Sequence, residues 1–463
     1  MNTSKKHLWM VGHPLFLAIV IGVSLLPTTR SYGIPAFARR YQFDCTMCHE
    51  PVPRLNEFGY KFRAAGFRLP SEIGKGEPSG DYSNYIAARV VFTGSEASAK
   101  GSSNNSNADQ SGQSNIGFSS ASIYPLVGAF GPNISAWSEF GYKPAAVSGP
   151  SGGAYLGTIN IGNAWMRLTY GDTSSFWSFR IGLMSAIEGY GASDASIGIS
   201  SPLLKNAGNT FIAGKITKAL YTPGTGETGV EAGWNMDRLS IHAGIFNGGY
   251  DNNGSFQAAI GGNANKPNNS PSYNSKDLML FANYILDEHG GSIAAYAFDG
   301  SLDYPNPVAS LAGNAMAMFP DNYMRYGIYA TSPTFSGFKL LAGLSMGKDK
   351  EWNEDTTILP YKGQIADSTS SSMGWFVEPD FRLDKNWSFG ARYDYFDPMT
   401  GANYSNVNVI SAMSVFFNYC MNNGLTFYGE LLDKTTLGKT YSSSVGVLKL
   451  DNYSFVLNTF FVW

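Results

Sequence analysis

The stretch Cys45-Thr46-Met47-Cys48-His49 has the plainest chemical meaning in this chain. Two thiols separated by two residues can each add to one vinyl group of a porphyrin, and the imidazole that comes next can coordinate its iron. The spacing therefore suits covalent attachment of one c-type haem, with thioether links at Cys45 and Cys48 and His49 as the proximal ligand. Rival uses of such a pair are a structural disulfide, a redox-active dithiol or half of a zinc site. A zinc site needs a second ligand pair and a thioredoxin-like dithiol needs a βαβ setting, and the sequence displays neither. Cys420 is left over, so no structural disulfide is expected, and it reads as an inert small side chain pointing inward.

Several segments must position this pentapeptide. Lys5, Lys6 and His7 begin a basic stretch, Leu15 to Leu26 is apolar, and Ser31 and Gly33 are small, so residues 1–33 read as a secretory signal peptide cleaved after Gly33. No later uninterrupted apolar run is found, so no helical membrane domain is expected. Residues 34–80 read as a small cytochrome. Leu55, Phe58, Phe62 and Ala65 recur at helical spacing, with Gly66 as a stop and Pro70 beyond it. A segment this small needs help to fold, which haem and a neighbouring structure would supply. It therefore reads as a plug inside, or against the mouth of, the structure formed by the rest of the chain. The Pro53 carbonyl is a candidate partner for the second imidazole nitrogen of His49. Arg39 and Arg40 are candidates for the haem propionates, with surface solvation as the simpler alternative.

Residues 81–463 change character. Charged residues make up 14% of the chain, aromatic residues another 14%, and there are 53 glycines. That balance, with alternating segments of about ten residues, predicts an all-β transmembrane antiparallel β-barrel of about 16 strands. A soluble all-β protein is the alternative. Ile86, Ala88, Val90 and Phe92 alternate with Tyr85, Ala87, Arg89 and Val91. Short turns are expected near Asn133, Asp172, Asp237, His289, Ser336, Lys385 and Asn423. Long loops are expected after Ser95, Pro144, Ser185, Gly248, Leu302, Lys348, Pro398 and Lys434, the first running through Ser114. Tyr453, Phe455, Leu457, Phe461 and Trp463 share one face of a final strand that closes the sheet. The net charge of -3 says little about partners, and nothing resembles a basic nucleic-acid patch, so no nucleic-acid partner is expected.

The plug offers no second Met or His outside the CxxCH, so a distal ligand of those types must come from the barrel. Leu239, Ile241, Ala243 and Ile245 alternate with His242, and Trp177, Phe179, Ile181 and Leu183 alternate with Arg180 and Met184. His242 and Met184 are the resulting candidates, each with an ordinary lumen-facing role as the alternative. His289 falls in a turn. Arg89, Glu139, Arg325, Glu378, Asp380, Arg392, Asp394 and Glu430 also turn inward by alternation, as a polar lumen requires. The run from Asp349 to Asp355 reads as a solvated loop, with divalent-cation attraction as the alternative.

Ile34-Pro35-Ala36-Phe37-Ala38-Arg39, the CxxCH, Pro53-Arg54-Leu55-Asn56, Phe58-Gly59, Phe62-Arg63 and Gly66 resemble the outer-membrane fused monohaem cytochrome–porin family. Its best-known members are iron-oxidising proteins of chemolithotrophic bacteria. The barrel is similar in architecture and in pieces such as Thr228-Gly229-Val230-Glu231-Ala232-Gly233 and Phe246-Asn247-Gly248. The resemblance implies an electron-transfer protein of the outer membrane that takes electrons from extracellular Fe(II) and passes them to a periplasmic cytochrome or other carrier. If it counts as an enzyme, it is an Fe(II):cytochrome c-type oxidoreductase. The plug would lie in or face the lumen from the periplasmic side, and lipid would surround the barrel. A donor other than iron, a passive porin with a haem-bearing plug, and a haem enzyme or sensor are the open alternatives.

Overall fold

The computed structural model describes residues 35–75, 80–103, 106–144, 158–185, 196–206, 209–212, 215–218, 226–247, 276–305, 318–352, 368–397, 408–421, 425–438 and 449–462. The expected signal peptide and its cleavage point lie outside these residues, as does the turn at Asn423.

Helix α1 spans Pro35–Tyr41 and α2 spans Glu57–Ala64, with a 3-10 turn at Cys45–Met47 between them. Asn56 caps α2 by accepting from the Gly59 amide at 2.8 Å, which satisfies a donor that the first helical turn leaves without an intrahelical partner. The helix ends as the spacing predicts. Gly66 and Phe67 adopt φ of 77° and 60°, and the Phe67 amide returns to the Phe62 carbonyl at 2.9 Å. A side chain at Gly66 would also meet the Ser135 hydroxyl of the barrel wall.

Strands β1 (Ala87–Ser103), β2 (Ser106–Ala129), β3 (Ile134–Lys143), β4 (Thr158–Gly171) and β5 (Ser175–Ser185) come in order. A short helix α3 (Leu203–Asn206) and a hairpin of β6 (Asn209–Ile212) and β7 (Lys215–Lys218) come next. The wall resumes with β8 (Gly226–Met236), β9 (Leu239–Asn247), β10 (Lys276–Ile285), β11 (Ser292–Pro305), β12 (Met318–Thr331) and β13 (Phe338–Trp352). It finishes with β14 (Ser368–Arg382), β15 (Trp387–Asp397), β16 (Asn408–Cys420), β17 (Leu425–Gly438) and β18 (Lys449–Val462). All but β6 and β7 form one closed antiparallel barrel of sixteen strands, and β18 pairs with β1 to remove the edge.

The two faces differ as period-2 alternation demands. On β5, Trp177, Phe179 and Ile181 are about half exposed on the outside, whereas Ser178 and Arg180 are buried inside. The described short turns all fall where expected, among them Phe130 to Ile134 and Leu383 to Trp387. Asp237 takes φ of 47° in its turn, a left-handed conformation that Asp adopts more readily than most residues.

Several expected loops differ. Residues 95–103 and 106–114 are strand and not loop, because β1 runs 17 residues and β2 runs 24, with Ser95 opposite Asn115 and Ser102 opposite Asn107. Ladder hydrogen bonds come from the backbone, so a Ser- and Asn-rich hairpin with no apolar face can still extend as sheet. The strands likewise continue past Leu302, Lys348 and Lys434, to Pro305, Trp352 and Gly438. The start of the expected acidic loop, Asp349 to Trp352, is thus strand, and its remainder lies outside the described residues.

The core lies within the barrel. Phe62 and Phe67 of the plug belong to the same buried cluster as Trp165, Met184, Phe246 and Phe376 of the wall, so the plug sits in the lumen, at the end that carries the short turns.

Candidate functional site

The 3-10 turn brings the pentapeptide into a compact hook. The amides of Cys48 and His49 both donate to the Cys45 carbonyl, at 3.2 and 3.0 Å. Asn56 reaches back through Nδ2 to the Met47 carbonyl at 3.0 Å, and its amide donates to the Cys48 carbonyl at 2.9 Å. Gly59 is where α2 passes closest, and any Cβ there would collide with that Cys48 carbonyl. The helix thus packs directly on the hook because glycine permits it.

His49 donates through Nδ1 to the Pro53 carbonyl at 2.8 Å, the partner that the sequence suggests. This bond fixes the tautomer in which Nε2 carries the lone pair, and it makes that nitrogen a better ligand. Cys45, Cys48 and His49 line a cleft of about 170 Å³ with Phe37, Phe43, Phe62 and Trp137. That volume is below the roughly 300–1,000 Å³ usual for cofactor clefts, so a porphyrin seated there would project past the rim. Its walls are aromatic: Phe37 stacks on Phe67 at 4.9 Å, and Phe67 meets Trp137 at 5.1 Å. Burial pushes the Cys48 thiol up to about 12, with Cys45 adding to the shift, the opposite of what a redox-active dithiol requires. None of the three cysteines is in a disulfide. Among the described residues no group of three or more His, Cys, Asp or Glu is arranged to hold a metal ion. Two thiols, an oriented imidazole and an apolar aromatic cradle fit the chemistry of a covalently held haem.

The hook is tied to the barrel by charge. Glu50, next to His49, receives Arg382 Nη1 at 2.7 Å and His289 Nδ1 at 2.9 Å. Arg54 is fully buried and makes a two-pronged pair with Asp380, at 2.7 and 3.2 Å, with Glu378 at 3.7 Å. Burial, the largest single influence, would lower the pKa of this guanidinium, but Asp380, Glu378 and Tyr60 together leave the net direction upward. Glu57 pairs with Arg238 at 3.0 Å, and Arg167 donates to the Arg63 carbonyl at 2.6 Å.

Arg39 and Arg40 lie elsewhere than expected of propionate partners. Arg39 donates to the Ser83 and Ile86 carbonyls, Arg40 to that of Ala129, and neither lines the cleft. They fasten α1 to the junction between plug and barrel.

The inward residues of the wall are placed as alternation predicts. His242 is buried on β9, with Nδ1 3.2 Å from Glu231, which in turn pairs with Arg180 at 2.7 Å. Met184 is wholly buried on β5 within the aromatic core. Neither lines the cleft of Cys45, Cys48 and His49. Arg325, Glu378, Asp380, Arg392, Asp394 and Glu430 are all buried. Sequence reasoning misses what several of them hold, which is a segment folded into the lumen. Glu378 accepts from the Ser196 hydroxyl at 2.6 Å and the Ile197 amide at 3.1 Å, Glu430 accepts from the Ser200 amide at 2.6 Å, and Asp394 caps Leu203 at 3.0 Å. The available signal is the excess of inward acids, Glu378, Asp380, Asp394 and Glu430, over Arg392 on the same wall.

The fold and site together define a class: a closed sixteen-stranded antiparallel barrel whose lumen holds a small helical CxxCH plug. No protein-family model matches the chain, and no curated protein matches it. Solved structures with a similar barrel include the outer membrane channel DcaP of Acinetobacter baumannii, at 10% identity over 82% of this chain and 97% of that one, with a TM-score of 0.46. OprB of Pseudomonas putida is similar at 10% identity, over 81% and 94% of the two chains, with a TM-score of 0.45. OmpF of Salmonella typhi is similar at 11% identity, over 81% and 96%, also with a TM-score of 0.45.

Proposed function

We propose that this chain is an outer-membrane electron-transfer protein. It passes electrons from extracellular Fe(II), by way of one covalently bound haem c, to a periplasmic electron carrier. The observation that carries the reading is the oriented His49 beside Cys45 and Cys48, opening on an aromatic cleft. A haem held there supplies one-electron redox chemistry at its iron. Cys45 and Cys48 would anchor it as thioethers, His49 Nε2 would ligate the iron, and Phe37, Phe62 and Trp137 would exclude water from its face. His242 or Met184 as distal ligand would require the plug to shift, since neither lines the cleft of Cys45, Cys48 and His49. The apolar outer belt supports a lipid setting, and the short-turn end that receives the plug would be the periplasmic one. A hydrocarbon layer of about 30 Å separates the two faces, so either donor or acceptor must enter the lumen.

Stopped-flow mixing of haem-loaded protein with Fe(II) tests this. The haem absorption bands are expected to shift to the reduced form, and a failure to shift across a range of pH would remove iron as the donor. A passive outer-membrane porin with a haem-bearing plug is the second reading, favoured by the closed sixteen-stranded barrel taken alone. Solute conductance in reconstituted bilayers, with no haem reduction by any extracellular donor, would select it.

A further inference from the structure

The sequence alone reads Cys420 as an inert inward side chain, yet the fold delivers it to the haem-attachment hook. It ends β16, where its amide donates to the Asn386 carbonyl at 2.9 Å and its own carbonyl accepts Asn386 Nδ2 at 2.7 Å. Thr426 donates to its sulfur at 3.6 Å. Two residues earlier, Asn418 Nδ2 donates to the Val52 carbonyl and fastens the loop after His49 to the same strand end. Between them lies a small cleft lined by Cys45, His49, Val52, Asn418 and Cys420. Cys45 and Cys420 thus border one and the same small cleft. Cys45 borders this cleft as well as the aromatic one, whereas Cys48 borders the aromatic one alone.

From this shared cleft we infer that Cys45 and Cys420 form a disulfide in a folded chain whose Cys45 carries no thioether, tying the plug covalently to β16. Its formation breaks two S–H bonds and makes one S–S bond. The two electrons and two protons pass to a disulfide-bearing thiol oxidant, which leaves as two thiols. Oxidants of that class act in the compartments that exported chains enter. The pairing needs no haem. Its consequence, which rests on the proposed function, is that a barrel folded before haem loading loses the Cys45 nucleophile and is locked in an unloadable form. A loaded barrel keeps Cys420 as a thiol.

The test uses full-length protein prepared without haem, verified as a folded barrel by heat-modifiable gel migration and exposed to oxidised glutathione. Remaining thiols are alkylated with N-ethylmaleimide and the digest is read by mass spectrometry. The expected dominant product is a cross-linked peptide pair containing Cys45 and Cys420, with Cys48 alkylated. Cys420→Ser should lose the cross-link, and Cys48→Ser, which removes the rival partner, should retain it. Haem-loaded protein should show Cys420 alkylated. Recovery of a Cys45–Cys48 link instead, or of alkylated Cys420 in the oxidised haem-free barrel, would overturn the inference. A Cys45–Cys420 link in the haem-free barrel, together with no haem uptake by Cys420→Ser, which cannot form the link, would keep the pairing and remove the haem reading.

Discussion

The plug meets two walls of the barrel by opposite means. Toward β14 to β16 its contacts are ionic and polar: Glu50 to Arg382, Arg54 to Asp380, and Val52 to Asn418. Toward β3 and β4 the side-chain packing is aromatic, with Phe67 against Trp137 and Trp165 at 5.1 and 5.9 Å, flanked by hydrogen bonds from Arg68 and Arg167 to backbone carbonyls across the seam. Charge pairs are directional and tolerate little displacement, so the first wall sets the register of the hook. Aromatic packing is broader in its demands, so the second wall can shape a cleft and exclude water. The division explains how a segment with only about two turns of helix in α2 keeps its cysteines and His49 in one geometry.

Substitutions on each side sharpen the contrast. Arg54→Ala strips the cation from buried Asp380 and Glu378, and losing one partner of a buried pair costs roughly 3–5 kcal/mol. The expected result is release of the plug, seen as protease cleavage within residues 35–75 while the barrel stays heat-modifiable. If the plug remains protected, the ionic wall does not hold it. Phe67→Ala empties space between plug and aromatic wall. Phe67 is only 4% exposed, and such deletions cost about 3–5 kcal/mol when no relaxation occurs. Here the open cleft allows partial collapse, so a loss nearer the lower bound is expected in denaturant titrations. The readout that separates the walls is Trp fluorescence, which should change for Phe67→Ala and stay constant for Arg54→Ala until the plug leaves.

The smallest effect belongs to the junction between plug and barrel, which uses neither wall. The Ser83 amide donates to Asp81 at 2.9 Å, and hydrogen bonds from Ser83 hold that exposed carboxyl below its ordinary value. Because the folded-state value is depressed, the stabilisation is present above the ordinary carboxylate range and is lost as pH falls through the folded-state value. Asp81→Asn should therefore raise the neutral-pH rate of junction proteolysis slightly, towards the wild type's acid-side rate, and remove the slight acid-side slope.

How much of this is legible in the sequence depends on how local each signal is. The CxxCH hook, the stripe on α2, its Gly66 stop and the Pro53 acceptor all lie within about two dozen residues, where spacing maps directly onto geometry. The strand count and the inward placement of Arg325, Glu378 and Arg392 are legible because a strand alternates with period two. What those residues touch is not, since Glu50 and Arg382 are 332 positions apart and nothing in either neighbourhood names the other. The polar hairpin from Ser95 to Ser114 escapes a reading by hydropathy because strand pattern and apolar pattern separate once a sheet has no oily face to cover. The inward fold of Ser196 to Asn206 is hidden for the reverse reason: its few apolar residues, Ile197 and Leu204 among them, look ordinary in a loop.

Strand β14 offers one more lesson. Reading inward from its turn, Arg382 grips Glu50, Asp380 grips Arg54, Glu378 grips Ser196 and Ile197, and Gly374 makes room for Leu204. Every one of those partners is made earlier by the ribosome than the strand that secures it. These contacts therefore form only when β14 closes on segments far earlier in the chain, and long-range closure of this kind is slow. Until then the hook stays accessible to whatever machinery modifies it, which makes the lateness of β14 a window of time as much as a matter of architecture.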